Sequence, residues 1–552
     1  MSNKLLDIEM PGRYVGGEYG SRCLNFTPRL RIAICFPDLY EIGMSNQTIK
    51  LLYNLLNQIP GVYCERVFAP ADDFRALLKN ENKTLFTLET GTPILEMDIL
   101  AFTVGYELSA TNILNVLDAG GISVQKQNRT SKEPIVVAGG TGLTNPKPFA
   151  DIFDAVFIGE AEKEFSDLIQ KLADCKADGF SRKEIIDLII SSKHIWHSGK
   201  KEPTSRAIWS DFGKKSIQWK YLPVPNVSVV QDHGVIEVMR GCPNGCRFCH
   251  AGFFYRPMRC KDFTGIIEES DYLINEAGYR EITLSSLSTG DYQSIYELMQ
   301  ILNSRYKDKH ISFSLPSLRL NSFTISLLEE VSSVRKSGLT FAIETADKKW
   351  QHAINKDISK EKILEIIEDA KKRGWKLAKF YFMIGLPVAD EMQEAERIVE
   401  YLLDIKAKTK IKINTNIGTF VPKPHTPYQW DKQLTLEQSK SALQYIKNTL
   451  KGSGIKVNYH EPFQSYLEGI ISRGDEKVSG IIIKAFENGA SFDAWEDKLN
   501  KPVWQDVLAG ENAQEYINER DVEQMLPWDD IDLGVTKKYL IKEKQKSMKG
   551  EL

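Results

Sequence analysis

The chain has 552 residues, and a prior of roughly 150 residues per domain allows three or four domains with at least two buried cores. Its 71 Lys and Arg against 74 Asp and Glu leave a net charge of -3, beside 42% hydrophobic and 26% charged residues. That is an ordinary soluble globular composition, and it removes the basic surplus expected of a general phosphate binder. No apolar run approaches the roughly 18 to 20 residues that span a bilayer, and MSNKLLDIEMPGRY lacks the apolar core of a signal peptide, so the expected address is the cytoplasm, with no membrane partner.

From about Arg31 short apolar runs alternate with helix-like segments. The strands read RIAICF (31 to 36), VYCERVF (62 to 68), DILAFTV (98 to 104), PIVVAG (134 to 139) and DAVFIG (154 to 159), with helical spacing over 46 to 56 and 109 to 117. Continuous apolar strands separated by helices predict a doubly wound parallel sheet, and such a sheet binds ligands at the carboxyl ends of its strands. This unit is taken as residues 1 to 180. The less regular stretch 181 to 230 reads as a linker. A second series follows over 231 to 450, with strands at 235 to 241, 281 to 286, 310 to 315, 339 to 344, 376 to 385 and 412 to 421 and helices such as 363 to 373 and 394 to 405. Six βα units in about 200 residues predict a partial (βα)6 barrel of the TIM type. Residues 451 to 552 read as mainly helical, and KKYLIKEKQKSMKGEL as a solvated charge run with a disordered tip.

Eight cysteines are too few for a disulfide framework, and three of them fall in RGCPNGCRFCH (240 to 250), a C-x3-C-x2-C just after the first strand of the second series. Thiolates of Cys242, Cys246 and Cys249 on one tight loop can hold three irons of a cubane cluster and leave the fourth open. The competing reading is a closed Cys3His zinc site completed by His250. Its place at the carboxyl end of a barrel strand, where such barrels keep their active sites, favours the first. Arg240, Arg247, Arg256 and Arg259 crowd the same loop, either to attract an anionic substrate or to keep the surface solvated.

The loop resembles the signature of the radical S-adenosylmethionine superfamily, C-x3-C-x-aromatic-C, with Phe248 as the aromatic. The resemblance implies a 4Fe-4S cluster whose open iron chelates S-adenosyl-L-methionine, a strongly reducing electron, and cleavage to a 5'-deoxyadenosyl radical. It also implies a reductant such as flavodoxin or ferredoxin, and a small-molecule or RNA substrate that the sequence does not identify. Further segments fit the family's cofactor contacts: Ser288 and Gly290 in LSSLSTGDY, Ser317 and Arg319 in SLPSLRL, Glu344 ending the fourth strand, Gly385 in FMIGLP against adenine, and His425 in PKPHTPYQW toward the substrate.

PDLYEIGMSNQ resembles the start of cobalamin-binding domains, whose D-x-H-x-x-G is matched by Asp38, Tyr40 and Gly43, and AGGTG (138 to 142) resembles the glycine pair that accommodates the corrin's nucleotide tail. Tyrosine replaces the axial histidine, and all eight histidines lie at position 194 or later. Ordinary histidine-ligated cobalamin is therefore excluded from this domain. Cobalamin without such a ligand, and a corrin-free scaffold, both stay open. The readings carried forward are a radical S-adenosylmethionine enzyme, a cobalamin-dependent methyltransferase of that superfamily, and a non-catalytic iron-sulfur or zinc scaffold.

Overall fold

The structure is a computed structural model, and it describes residues 4–316 and 339–552. Ser317 and Arg319 lie outside the described residues. Six strands build the N-terminal sheet: β1 Leu30–Phe36, β2 Val62–Phe68, β3 Ile99–Thr103, β4 Ile135–Gly139, β5 Ala155–Phe157 and β6 Ile195–Trp196. They run in the order β2-β1-β3-β4-β5-β6, parallel except for β6 on β5. Every residue of β2 and β3 is buried because helices cover both faces, which is why these runs do not alternate. The two charges inside β2 are paired: Glu65 with Arg31, and Arg66 with Glu18 at 2.8 Å and Glu89 at 2.7 Å. The order reverses between β1 and β3, the crevice position of such sheets.

Residues 182–196, inside the stretch read as a linker, are helix Arg182–Ile190 and strand β6 of this sheet. Ser181 and Glu184 start that helix with a reciprocal capping box. Beyond it, β7 (Thr204–Ser205) leads to the second unit.

The single strand expected over 235 to 241 divides in two. Gly234–Glu237 (β8) pairs parallel with β11 (Glu281–Ser285), whereas Met239–Arg240 (β9) turns to pair antiparallel with β10 (Arg259–Cys260). Strand β12 (Ser312–Ser314) completes a parallel β12-β11-β8 sheet. A second parallel sheet contains β13 (Leu339–Glu344), β14 (Leu377–Ile384), β15 (Lys412–Thr419) and β16 (Ile455–Tyr459) in that order. Strand β16 lies beyond the last strand read from the sequence; IKVNY is five residues long and half polar, so it carried little apolar signal. One face of this sheet buries Phe341, Phe380, Phe382 and Ile413 against helices Lys360–Lys372, Glu391–Thr409 and Leu436–Thr449. The other is open and polar: Ala342, Tyr381, Asn416 and Asn458 form one cross-strand row, and Thr340, Lys379, Asn414 and Lys456 the next.

The region read as helical from 451 holds β16 and the short strand Ile531–Asp532 but is otherwise mainly helical, and it is not a separate layer. Phe463, Leu467, Ile470, Ile482 and Trp504 join the same apolar cluster as Ala33, Leu100 and Val136 of the N-terminal sheet. β17 (Ile531–Asp532) pairs with β7. The run read as a solvated, disordered tip is corrected to an ordered helix, Lys537–Lys549, capped by Thr536. It buries Leu540, Glu543 and Ser547, which lie on one face at helical spacing. Two of those three are polar and their partners are polar, so apolar periodicity could not reveal the docking.

Candidate functional site

The cysteines lie on the loop that leaves β9 and enters the short helix His250–Phe254. Cys249 precedes that helix, and its sulfur accepts the Gly252 N–H. Burial pushes the Cys249 thiol up to about 11, with the other two cysteines adding to the rise. A cation bound there reverses this balance and strips the thiol proton outright. The amide nitrogen of Asn244 lies 3.3 Å from Cys242 Sγ, 3.4 Å from Ser288 Oγ and 2.6 Å from Asp291 Oδ2. Ser288 in turn donates to Asp291 at 2.6 Å. The loop is thus tied to the end of β11, and Ser288 is brought beside Asn244 of the cysteine loop. Gly290 sits in the single turn Thr289–Asp291 between those partners.

Behind the loop, Asn355 Nδ2 donates to the carbonyls of Asn244 and Gly245 at 3.1 and 3.0 Å. Phe248 packs with Ile354, Leu386, Phe420 and Tyr428. Glu344 stands at the end of β13 with φ +67, bonded to Lys356 Nζ at 2.6 Å. That ammonium lies 5.8 Å from the Phe248 ring centroid and favours the Cys249 thiolate. Gly385 has φ +83, its N–H meets Glu394 Oε2 at 2.5 Å, and an added Cβ would lie 2.6 Å from Leu434 Cγ. The turn itself therefore requires glycine at this position, whatever approaches it.

Arg240, Arg247 and Arg259 are tied up in ion pairs rather than left to solvent, while Arg256 is half-buried. Arg240 pairs with Glu160, Glu162 and Glu237 at 2.7 to 2.9 Å, and Arg259 with Glu160 at 2.6 Å. Arg256 lies over Phe253 at 4.5 Å, and Arg247 is fully buried with Glu543 of the last helix. Fixed carboxylates, invisible in a linear reading, take up the charges of Arg240, Arg247 and Arg259.

His250 and His425 converge on one threonine of the N-terminal domain. His250 Nε2 meets Thr144 Oγ1 at 3.0 Å, and His425 Nε2 donates to the Thr144 carbonyl at 3.0 Å. Burial lowers both, His250 to about 3 and His425 to about 4, so both rings are neutral. His425 thus braces two domains, and His250 is turned to Thr144, not assembled with the thiols. Among the described residues no three His, Cys, Asp or Glu side chains converge on a single-ion site.

In the N-terminal domain Tyr40 does not face the crevice. Its ring lies edge-on to Phe68, and its hydroxyl donates to Glu18 at 3.0 Å in the core. Asp38 accepts from Trp495 Nε1 at 3.0 Å. A cavity of about 270 Å³ lies along Ala101, Val137 and Gly139–Thr141 and is closed on the other side by Arg240, Phe254 and Tyr255 of the cysteine-bearing segment. Sequence reasoning missed Asn244, Asp291, Asn355, Lys356 and Glu543; Asn244 meets Ser288 across 44 positions, Asn355 meets Asn244 across 111 and Glu543 meets Arg247 across 296.

Two parallel α/β units, the second carrying three thiols on the loop after β9, are the frame of a cofactor-dependent enzyme. The profile described as "Radical SAM proteins, N-terminal" matches residues 48–196, and that of the "Radical SAM superfamily" matches residues 236–402. Together they take in more than half of the chain, which belongs to the radical S-adenosylmethionine superfamily and is an enzyme. An uncharacterized protein of Methanocaldococcus jannaschii is 26% identical over 86% of this chain and 98% of its own length. A putative methylthiotransferase of the same organism is 24% identical over 57% of this chain and 65% of its own. The radical S-adenosylmethionine methyltransferase TsrM from Kitasatospora setae, solved with cobalamin and a 4Fe-4S cluster, aligns at a TM-score of 0.47 with 11% identity over 73% of each chain.

Proposed function

We propose that Cys242, Cys246 and Cys249 hold a 4Fe-4S cluster with one iron free for S-adenosyl-L-methionine, in service of radical modification of a polar substrate. When bound, these groups supply the reductive cleavage of a sulfonium to a 5'-deoxyadenosyl radical. The observation that carries the reading is the donor set itself: three thiols on one loop, with the Gly252 N–H and the Asn244 amide aimed at two of the sulfurs. Such N–H donors stabilise ligand sulfur charge and tune a cluster's potential. His250 points its Nε2 at Thr144, and among the described residues no His gathers with the thiols into the closed set that a zinc site needs.

The chain's own residues then have definite tasks. Ser288, Gly290 and Asp291 line the loop end beside Cys242, where a cofactor amino group would find a carboxylate. Glu344 holds Lys356 beside Phe248, and Gly385 turns the backbone at the end of β14. Ser317 and Arg319 are proposed to serve the cofactor carboxylate or ribose. The two sheets are taken as the wall of one partial (βα)6-type barrel. Its open face carries Tyr381, Asn416 and Asn458, and it supports a hydrogen-bonding substrate, small molecule or RNA, in contrast to the Val/Ile/Leu layers that fill an ordinary barrel. A flavodoxin or ferredoxin reductant and a cytoplasmic setting complete the reading; among the described residues no helix is long and apolar enough to cross a membrane.

The test is anaerobic reconstitution with iron and sulfide, followed by dithionite and S-adenosyl-L-methionine. Four irons per chain and release of 5'-deoxyadenosine support the proposal. A mononuclear four-coordinate metal, with no cleavage, overturns it in favour of a non-catalytic scaffold.

The second reading, a cobalamin-dependent methyltransferase, is favoured by the cavity beside Gly139–Thr141, which is large enough for a benzimidazole-sized ring. The residues fit only that part of the group. Tyr40 is committed to Glu18 and Asp38 to Trp495, so neither residue of the segment that resembles the cobalamin motif is free to ligate cobalt from below. Hydroxocobalamin retained stoichiometrically through gel filtration supports this reading, and colourless protein removes it.

A further inference from the structure

Arg247 stands between two of the cysteines, and its guanidinium is fully buried. Its Nη1 donates to the carbonyls of Ala353 at 2.7 Å, His352 at 3.1 Å and Glu551 at 2.6 Å, and its Nε to Glu543 Oε2 at 3.1 Å. The backbone N–H of the same residue donates to the Ile354 carbonyl at 3.0 Å. Two segments, one about 105 and the other about 300 positions away, therefore grip the middle of the thiol loop. The last helix holds its place independently of that grip. Ser547 Oγ lies 2.7 Å from the Tyr428 hydroxyl, which also donates to Ala353 O, and Lys544 pairs with Asp431 at 2.5 Å. Tyr539 lies under Arg256, at 5.3 Å from ring centroid to guanidinium carbon.

We propose that Glu543 is a positioning residue of the cluster site, and that helix Lys537–Lys549 is the strap that fixes the thiol loop and cancels the charge of Arg247. The proposal rests on the cluster assignment above. Three thiolates around the cluster make an anionic centre that becomes more anionic on reduction. An uncancelled guanidinium one residue from Cys246 would stabilise the reduced state and weaken its reducing power. Glu543 Oε1 also meets the partly exposed Lys546 at 3.1 Å, where water screens the ammonium, so Oε2 is the oxygen that offsets the buried guanidinium and keeps the electron strongly reducing. A buried pair is also costly to break from one side, because the remaining charge has no water to turn to. Loss of Glu543 therefore has two effects, on the potential and on the grip.

The experiment compares full-length wild type, Glu543→Gln, Glu543→Asp and Ser547→Ala after anaerobic reconstitution. It reads iron and sulfide per chain, and the midpoint potential of the cluster by titration followed by electron paramagnetic resonance. The expected result is a cluster in Glu543→Gln whose midpoint moves to a more positive potential, with faster iron loss to a chelator. Glu543→Asp should restore the potential, and Ser547→Ala should speed iron loss without moving it. If Glu543→Gln only loses iron and its remaining cluster keeps the wild-type midpoint, the electrostatic role is wrong. If both iron retention and midpoint match wild type, the strap itself is wrong. Wild-type protein that takes up no cluster overturns the cluster assignment instead, so the two failures are distinguishable.

Discussion

Asn244 lies within a C-x3-C spacing, yet its importance comes from where its amide points, toward Cys242 Sγ and Asp291. Asn244→Ala removes an N–H donor near a ligand sulfur, so the cluster should still load while its midpoint moves to a more negative potential in a reductive titration. Cys249→Ala removes a ligand, and the variant should lose 5'-deoxyadenosine formation entirely while its circular dichroism matches that of wild type. Gly140 tests the glycine pair of the N-terminal domain without reference to any corrin. Its φ is +124, and an added Cβ would lie 2.2 Å from the Val104 carbonyl oxygen. Gly140→Ala should cost about 1–3 kcal/mol in denaturant unfolding, because strain and backbone overlap act together.

At the scale of elements, the β9–β10 hairpin presents the thiol loop, and Glu160 of the N-terminal domain holds both strands through Arg240 and Arg259. Glu160→Gln leaves two buried guanidinium groups short of a partner and should destabilise the protein by about 3 kcal/mol. Burial opposes ionisation of Glu160, but Arg259 and Arg240 override it and hold the carboxyl below its ordinary value of 4.5. A depressed carboxylate contributes its stability in full above that value and loses it as pH falls through the folded value. Wild-type stability should therefore drop below about pH 4.5 with a component that is missing in Glu160→Gln, as read by denaturant midpoints across the acid range. Most strands of the main sheets were legible because their burial writes continuous or alternating apolar runs into the chain, whereas the short β6 and the half-polar β16 were not. β9 and β10, two residues each, and the polar-faced last helix write no such pattern. The thiols were legible by spacing, whereas Asn355, Lys356 and Glu543 reach the site only through tertiary contacts.

For the whole molecule, the apolar cluster shared by β1, β3, β4 and the helices after 461 means that the N-terminal sheet does not complete its own core. Thr111 bonds Asp493 at 2.6 Å, Asn112 accepts the Phe492 N–H at 2.7 Å, and Lys423 bridges Glu107 and Glu468 at 2.8 Å each. A chain ending at residue 450 should therefore aggregate or unfold rather than yield a folded N-terminal domain, and the full chain should melt in one calorimetric transition. Two well-separated transitions would show that the sheet stands alone.

The long span between Arg247 and Glu543 also orders events in time. During synthesis Arg247 emerges almost 300 residues before its partner Glu543, so until the last helix docks the middle of the thiol loop is held from one side alone, by the carbonyls of His352 and Ala353.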